Sequence, residues 1–135
     1  MKNIFSLLAL TLLINMPLYA DDQNVSSDSV ARAQFTTNVI DREPVDDITE
    51  LSNDSDKLFF FSELRGMTGQ VVIHRWEYNG KVLAEVSFDI GGPRWRVYSS
   101  KNLLPSQVGE WKVSVVDGAG DVITEKTFNY TAANM

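Results

Sequence analysis

His74 is the only histidine in this 135-residue chain, so any histidine-based chemistry must pass through it. A nucleophilic triad needs an activated serine beside the imidazole and an acid to orient the ring. The sequence has no Gly-x-Ser-x-Gly elbow, and His74 falls in the middle of a strand-like segment. A packed histidine making one hydrogen bond is the expectation. Zinc requires three or four Cys, His or carboxylate ligands, and one His with no Cys does not supply them. The acidic stretch Asp46 to Lys57 invites comparison with a calcium loop, which needs acids at positions one, three and five and a glycine at six. Counting from Asp54, Asp56 fits but Leu58 and Phe59 do not; counting from Asp46, Ile48 fails at once. Hydrolysis by paired carboxylates needs two carboxyls facing each other across a cleft, which small sandwiches rarely provide. The reading is therefore no enzyme, no catalytic residues, no metal and no cofactor, with a hydrolase using His74 or the acidic loop as a distant third function.

The segment Arg94 to Lys101 (RWRVYSSK) holds the residues best suited to binding. If Trp95, Val97 and Ser99 point inward, Arg94, Arg96 and Tyr98 share the opposite face. Guanidinium groups fork carboxylates and phosphates and stack on rings. With Arg75, Tyr78 and Lys101 nearby, this is a candidate cationic-aromatic patch for an anionic ligand. The competing reading is an ordinary solvated face, its arginines paired with Glu85 or Glu77. Trp76, Trp95 and Trp111 could stack on sugars if exposed, but their strand neighbours are apolar and place them in the core.

These side chains must be carried by strands. Ala31 to Ile40, Leu58 to Phe61, Val71 to Tyr78, Lys81 to Ile90, Arg94 to Ser100, Glu110 to Asp117 and Val122 to Tyr130 alternate or run apolar between turn signals. Asp46 to Lys57 reads as a long acidic loop with one turn of helix at most. About seven short strands predict an all-β, immunoglobulin-like antiparallel β-sandwich over residues 31–131. Pro105 to Tyr130, with Trp111, Val113 and Val115 alternating before Asp117-Gly118-Ala119-Gly120, has the form of the last two strands of such a sandwich. At Asn79-Gly80 a two-residue turn would pair Trp76 with Leu83 and mix charge with apolar groups on both faces. A three-residue loop with Gly80 in a bulge pairs Trp76 with Val82 and His74 with Ala84, and segregates them. A one-residue slip flips every side chain, so the bulged loop is preferred.

Residues 1–20 have the layout of a cleaved signal peptide: Lys2, an apolar run from Ile4 to Met16, Pro17, and Ala20 before Asp21-Asp22. The run is shorter than the roughly 20 residues of a spanning helix, so no membrane insertion is expected after cleavage. Residues 21–30 read as a polar acidic linker. Without the leader, eleven basic groups face eighteen acidic ones, a charge of −7, which disfavours nucleic acid as a partner. The acids are concentrated in residues 21–56, leaving residues 57–135 nearly neutral. There is no cysteine, so stability rests on packing by seven Phe, three Trp and four Tyr.

The ordered segments Arg32 to Pro44 (RAQFTTNVIDREP), His74-Arg75-Trp76, Asn79-Gly80-Lys81, Arg94 to Ser99 (RWRVYS) and Gly109-Glu110-Trp111 resemble a family of bacterial exported domains of unknown function. The resemblance spans residues 30–130. It implies a Gram-negative source and a periplasmic location, and it brings no catalytic residues. The resulting expectation is a non-catalytic periplasmic binding or accessory module that contacts an envelope protein. The alternative is an envelope glycan or other anion held by the arginine-aromatic patch.

Overall fold

The chain's computed structural model describes residues 27–133. The expected signal peptide (1–20) and the linker as far as residue 26 lie outside them. Ser27 already donates its backbone N–H to Ile123 O, so the last four residues of the expected linker, 27–30, are bonded to the domain.

The described residues fold entirely as strands and connections. Alternation places one face of β1 (Val30–Thr36), β5 (Lys57–Arg65) and β8 (Arg94–Asn102) on the core, and these pair in the order β1-β5-β8. Facing them is a five-stranded sheet in the order β4-β10-β9-β6-β7. It comprises β4 (Glu50–Ser52), β6 (Val71–Tyr78), β7 (Lys81–Asp89), β9 (Gly109–Val116) and β10 (Val122–Thr131). Two two-residue strands, β2 (Val39–Ile40) and β3 (Glu43–Pro44), form a separate ribbon.

Without the three short strands, seven remain: the first, second and fifth in one sheet, and the seventh, sixth, third and fourth in the other. That arrangement is an immunoglobulin-like sandwich. It is antiparallel throughout except where β4 runs parallel to β10, with Leu51 opposite Tyr130. Here the acidic loop departs from expectation. Leu51 supplies an apolar anchor between charged neighbours, and the segment adds a strand to the sheet in place of a helical turn.

The core is aromatic. Phe35 of β1 meets Phe60, Trp76 and Phe128 at centroid distances of 5.0, 5.9 and 4.7 Å, all edge-to-face, which joins the two sheets through ring quadrupoles as well as buried area. Trp76 and Trp111 are fully buried. Trp95 is only half-buried and lies over Gly91, where an added Cβ would come within 2.8 Å of its ring.

The β6–β7 register corrects the expected loop. Tyr78 pairs with Lys81, so the turn is the two-residue Asn79-Gly80, with φ of 51° and 77°. Positive φ at both positions gives the turn twist that suits flanking strands. The register then shifts between Trp76 and Glu77, so that Trp76 faces Ala84 and His74 faces Val86. From Val72 to Trp76 apolar and charged residues are segregated, by a bulge inside the hairpin in place of a longer loop, whereas beside the turn Glu77 faces Val82 and Tyr78 faces Lys81. The first expected strand is likewise shorter. It stops at Thr36, and Val39-Ile40 turns back over Asp41-Arg42 to pair with Glu43-Pro44.

Candidate functional site

Residues Ser62 and Glu63 are neighbours in β5 and point to opposite faces of the three-stranded sheet, and each is the centre of a buried polar cluster. On the inner face, Ser62 Oγ lies 2.8 Å from His74 Nε2, and Ser99 Oγ lies 2.8 Å from His74 Nδ1. Trp76 Nε1 donates to the same Ser99 oxygen at 3.0 Å. Phe60 and Phe88 pack edge-on against the imidazole. His74 thus makes two hydrogen bonds, not the single one expected, and it faces Val86 instead of Ala84. Burial holds its pKa down at about 3, so the ring is neutral at pH 7. Among the described residues no carboxylate reaches either nitrogen, and Ser62 is fully buried, so this cluster is a strut between sheets without the parts of a nucleophilic site.

On the outer face, Glu63 is a buried carboxylate surrounded by guanidinium groups. Arg32 of β1 donates Nε and Nη2 to Oε1 at 3.0 and 2.7 Å. Arg65, two residues along β5, donates Nε and Nη2 to Oε2 at 2.9 and 2.7 Å. Arg94 of β8 donates Nε to Oε2 at 2.9 Å and Nη2 to Oε1 at 3.3 Å. Strand register produces this convergence: Arg32 and Arg96 both lie opposite Glu63, and Arg65 lies opposite Arg94. The β2–β3 ribbon adds Glu43, which accepts from Arg32 Nη1 and Nη2 at 2.8 and 2.9 Å and also from Arg96. Hydrogen bonds from Arg94, Arg65 and Arg32 hold the Glu63 carboxyl down at about 2, and those from Arg32 and Arg96 hold Glu43 at about 2. Both are ionised across the working pH range, which unfits them for general acid catalysis. The face continues with Phe61, buried beneath Arg32 at 4.9 Å, and with Tyr98, whose ring lies 6.3 Å from that of Phe59.

The structure divides the six residues of the expected patch. Arg94, Arg96 and Tyr98 share the outer face, as their alternation requires. Lys101 belongs to the opposite face of β8, opposite Leu58, and its Nζ donates to Asn102 O. Arg75 lies on the other sheet, where its Nε donates to Glu85 at 2.7 Å. Tyr78 packs against Trp111 at 4.9 Å and donates its hydroxyl to Val108 O at one end of the sandwich. Arg32, Glu43, Glu63 and Arg65 are the members that the sequence reading missed. The available signal was Glu63 itself, since a charge inside the apolar run Leu58 to Leu64 must find partners.

Elsewhere, an open cleft of about 190 Å³ lies beside the Asn79-Gly80 turn, lined by Glu77, Glu110 and Lys112. Among the described residues, no group of three or more His, Cys, Asp or Glu is placed to hold a metal ion.

No curated protein sequence matches the chain. Among solved structures, it is similar to the CARDB domain of a Pyrococcus furiosus protein in complex with di-metal ions. The identity is 10%, with 87% of this chain and 100% of that one covered and a TM-score of 0.45. The family described as "Protein of unknown function (DUF2914)" matches residues 69–130, which are β6 to β10 and their connections; Arg32 to Pro44 lies outside the match.

Proposed function

We propose that this protein is a non-catalytic binding module of the bacterial periplasm that holds an envelope protein partner by strand addition. The observation that carries the reading is the uneven width of the sandwich. Five strands face three, and β7 and β8, nine residues each, are the last strands of their sheets on the same side. β8 stacks over β6 through Ser99, which meets both His74 and Trp76, so β7 projects beyond it. The inward residues of β7, Ala84, Val86 and Phe88, are therefore only half-buried, whereas their partners Trp76, His74 and Val72 on β6 are fully buried. Val82, beside the turn, is 48% exposed.

A strand edge with unpaired N–H and C=O groups beside an apolar strip is a template for an incoming strand. Lys81, Glu85 and Asp89 punctuate the edge with charge, which an incoming strand has to match. The pairing of His74 with two serines and no carboxylate among the described residues, and the ionisation of Glu43 and Glu63 at pH 7, support the non-catalytic part of the reading.

In-cell photo-crosslinking tests it. A photoreactive residue at Val82 or Val86 is expected to form a discrete adduct with an envelope protein, while one at Lys126, in the strand three positions across the sheet, forms none. Equal labelling at all three positions, or none at the edge, sinks the strand-addition reading. Recovery of the protein in the cytoplasmic fraction with residues 1–20 intact would sink the periplasmic part.

A further inference from the structure

The outer face of the three-stranded sheet has more positive charge than its own acids neutralise. Four guanidinium groups (Arg32, Arg65, Arg94, Arg96) meet two carboxylates (Glu43, Glu63), leaving a local excess of +2 on a chain whose net charge is −6. That excess is not spread evenly. Arg32 engages all three of its nitrogens with Glu43 and Glu63, and Arg96 is held by Glu43 and the Arg42 carbonyl. Arg65 and Arg94 each turn only the Nε and Nη2 side toward Glu63, and among the described residues the Nη1 groups of both carry no hydrogen bond. Their side chains are 54% and 53% exposed.

Arg65 and Arg94 are direct cross-strand partners, a like-charge pairing that is unfavourable unless an anion sits between or above the two. Below them that anion is Glu63, whose Oε2 receives both Nε groups at 2.9 Å. The backbone around the pair is fixed: Arg65 N–H donates to Ser29 O at 2.8 Å and Gly66 N–H to Pro93 O at 2.9 Å. The two guanidinium groups are therefore pre-oriented from beneath, half-exposed and with Nη1 groups unpartnered among the described residues. Pre-orientation lowers the ordering cost of binding.

We propose that Arg65 and Arg94 form an oxyanion site for a phosphomonoester group, its two negative charges matching the local excess and its oxygens accepting from the two Nη1 groups. The site lies on a different face from the open β7 edge and does not depend on that strand-addition reading. Phosphomonoester chemistry occurs both on soluble sugar phosphates and on lipid headgroups, and the experiment separates these sources.

Titration of the purified chain with inorganic phosphate and a hexose monophosphate, followed by chemical shift or melting temperature, covers the soluble source. Co-sedimentation with vesicles containing phosphatidic acid, against vesicles of phosphatidylglycerol, covers the lipid source. Saturable binding in either arm, weakened at least tenfold by Arg65→Gln and by Arg94→Gln but unchanged by Arg75→Gln on the other sheet, supports the site. Binding of both soluble ligands assigns a free phosphate group, and binding of phosphatidic acid vesicles alone assigns a headgroup. Circular dichroism of each variant confirms that it is folded. No binding in either arm, or binding that survives both substitutions in folded protein, overturns the proposal.

Discussion

The two faces of β5 solve the same problem in opposite ways. Both bury polar atoms at adjacent positions, Ser62 inward and Glu63 outward; Ser62 is satisfied from β6, and Glu63 from β1, β8 and Arg65 of β5 itself. The inner cluster is neutral and buried: two serines, a histidine and an indole N–H. The outer cluster is charged, and its arginine stems reach solvent. A buried polar group costs little once hydrogen-bonded, whereas a buried charge needs a counter-charge with good geometry. A face that supplies several half-exposed counter-charges around one buried carboxylate is left with charge directed outward. The inner cluster fixes how the sheets stack, and the outer one leaves a surface able to recognise an anion.

The largest expected effect lies on the inner side. Trp76→Ala removes a fully buried indole and the hydrogen bond to Ser99 and is expected to destabilise by ~3–5 kcal/mol in urea unfolding. A loss under about 1 kcal/mol would mean that the sheets repack without it. Next is Glu63→Gln, which leaves Arg32, Arg65 and Arg94 without their shared anion. The cost is expected near 2–3 kcal/mol, below that of a fully enclosed pair because water can reach the arginines, as ~3–5 kcal/mol applies where it cannot. A neutral outcome would show that the cluster is a solvated face with no structural part.

The pH dependence separates the faces by window. His74 binds a proton at 6.5 when unfolded and at about 3 when folded. Below pH 6.5 the unfolded chain therefore holds more protons, and stability falls as pH falls, by at most about 1.4 kcal/mol per unit. Glu43 and Glu63 shift from 4.5 to about 2, so their contribution is present above pH 4.5 and lost only as pH falls from there toward 2. Between pH 6.5 and 4.5 the slope thus belongs to His74. His74→Gln should flatten the stability curve in that interval while leaving the steeper fall below pH 4.5 in place. An unchanged slope would place the titrating group elsewhere.

What could be read from the sequence follows how far apart the partners lie. The β9–β10 hairpin was legible because Trp111, Val113 and Val115 alternate within a few residues of the Asp117 to Gly120 turn. The inward positions of Val97 and Ser99 followed from the same alternation. The β6–β7 register was misjudged because the bulge inside the hairpin leaves no mark of its own, and segregation is met only from Val72 to Trp76, not beside the turn. β4 was hidden in acidic sequence because its pairing, Leu51 beside Tyr130, joins residues distant in the chain and only one of its side chains is buried. The arginine cluster depends on the register of three strands, with Glu63 separated by 31 residues from both Arg32 and Arg94. Alternation could place Arg94 and Arg96 on one face, but it could not show which acids would meet them there.

The smallest expected effect is the most discriminating for the outer face. Arg94→Gln removes one of three arginines from Glu63 and leaves Arg32 and Arg65 in place, so the carboxylate stays paired. With Arg94 half-exposed, the loss of stability should be small beside that of Glu63→Gln, as for other solvated ion pairs. A loss comparable to that of Glu63→Gln would mean that the arginines act as one structural unit around the buried acid, with no latitude at any member. A small loss means that Arg94 can be altered without disturbing the fold, as expected of a side chain whose Nη1 group is directed at a ligand and whose Nε side merely holds it in place.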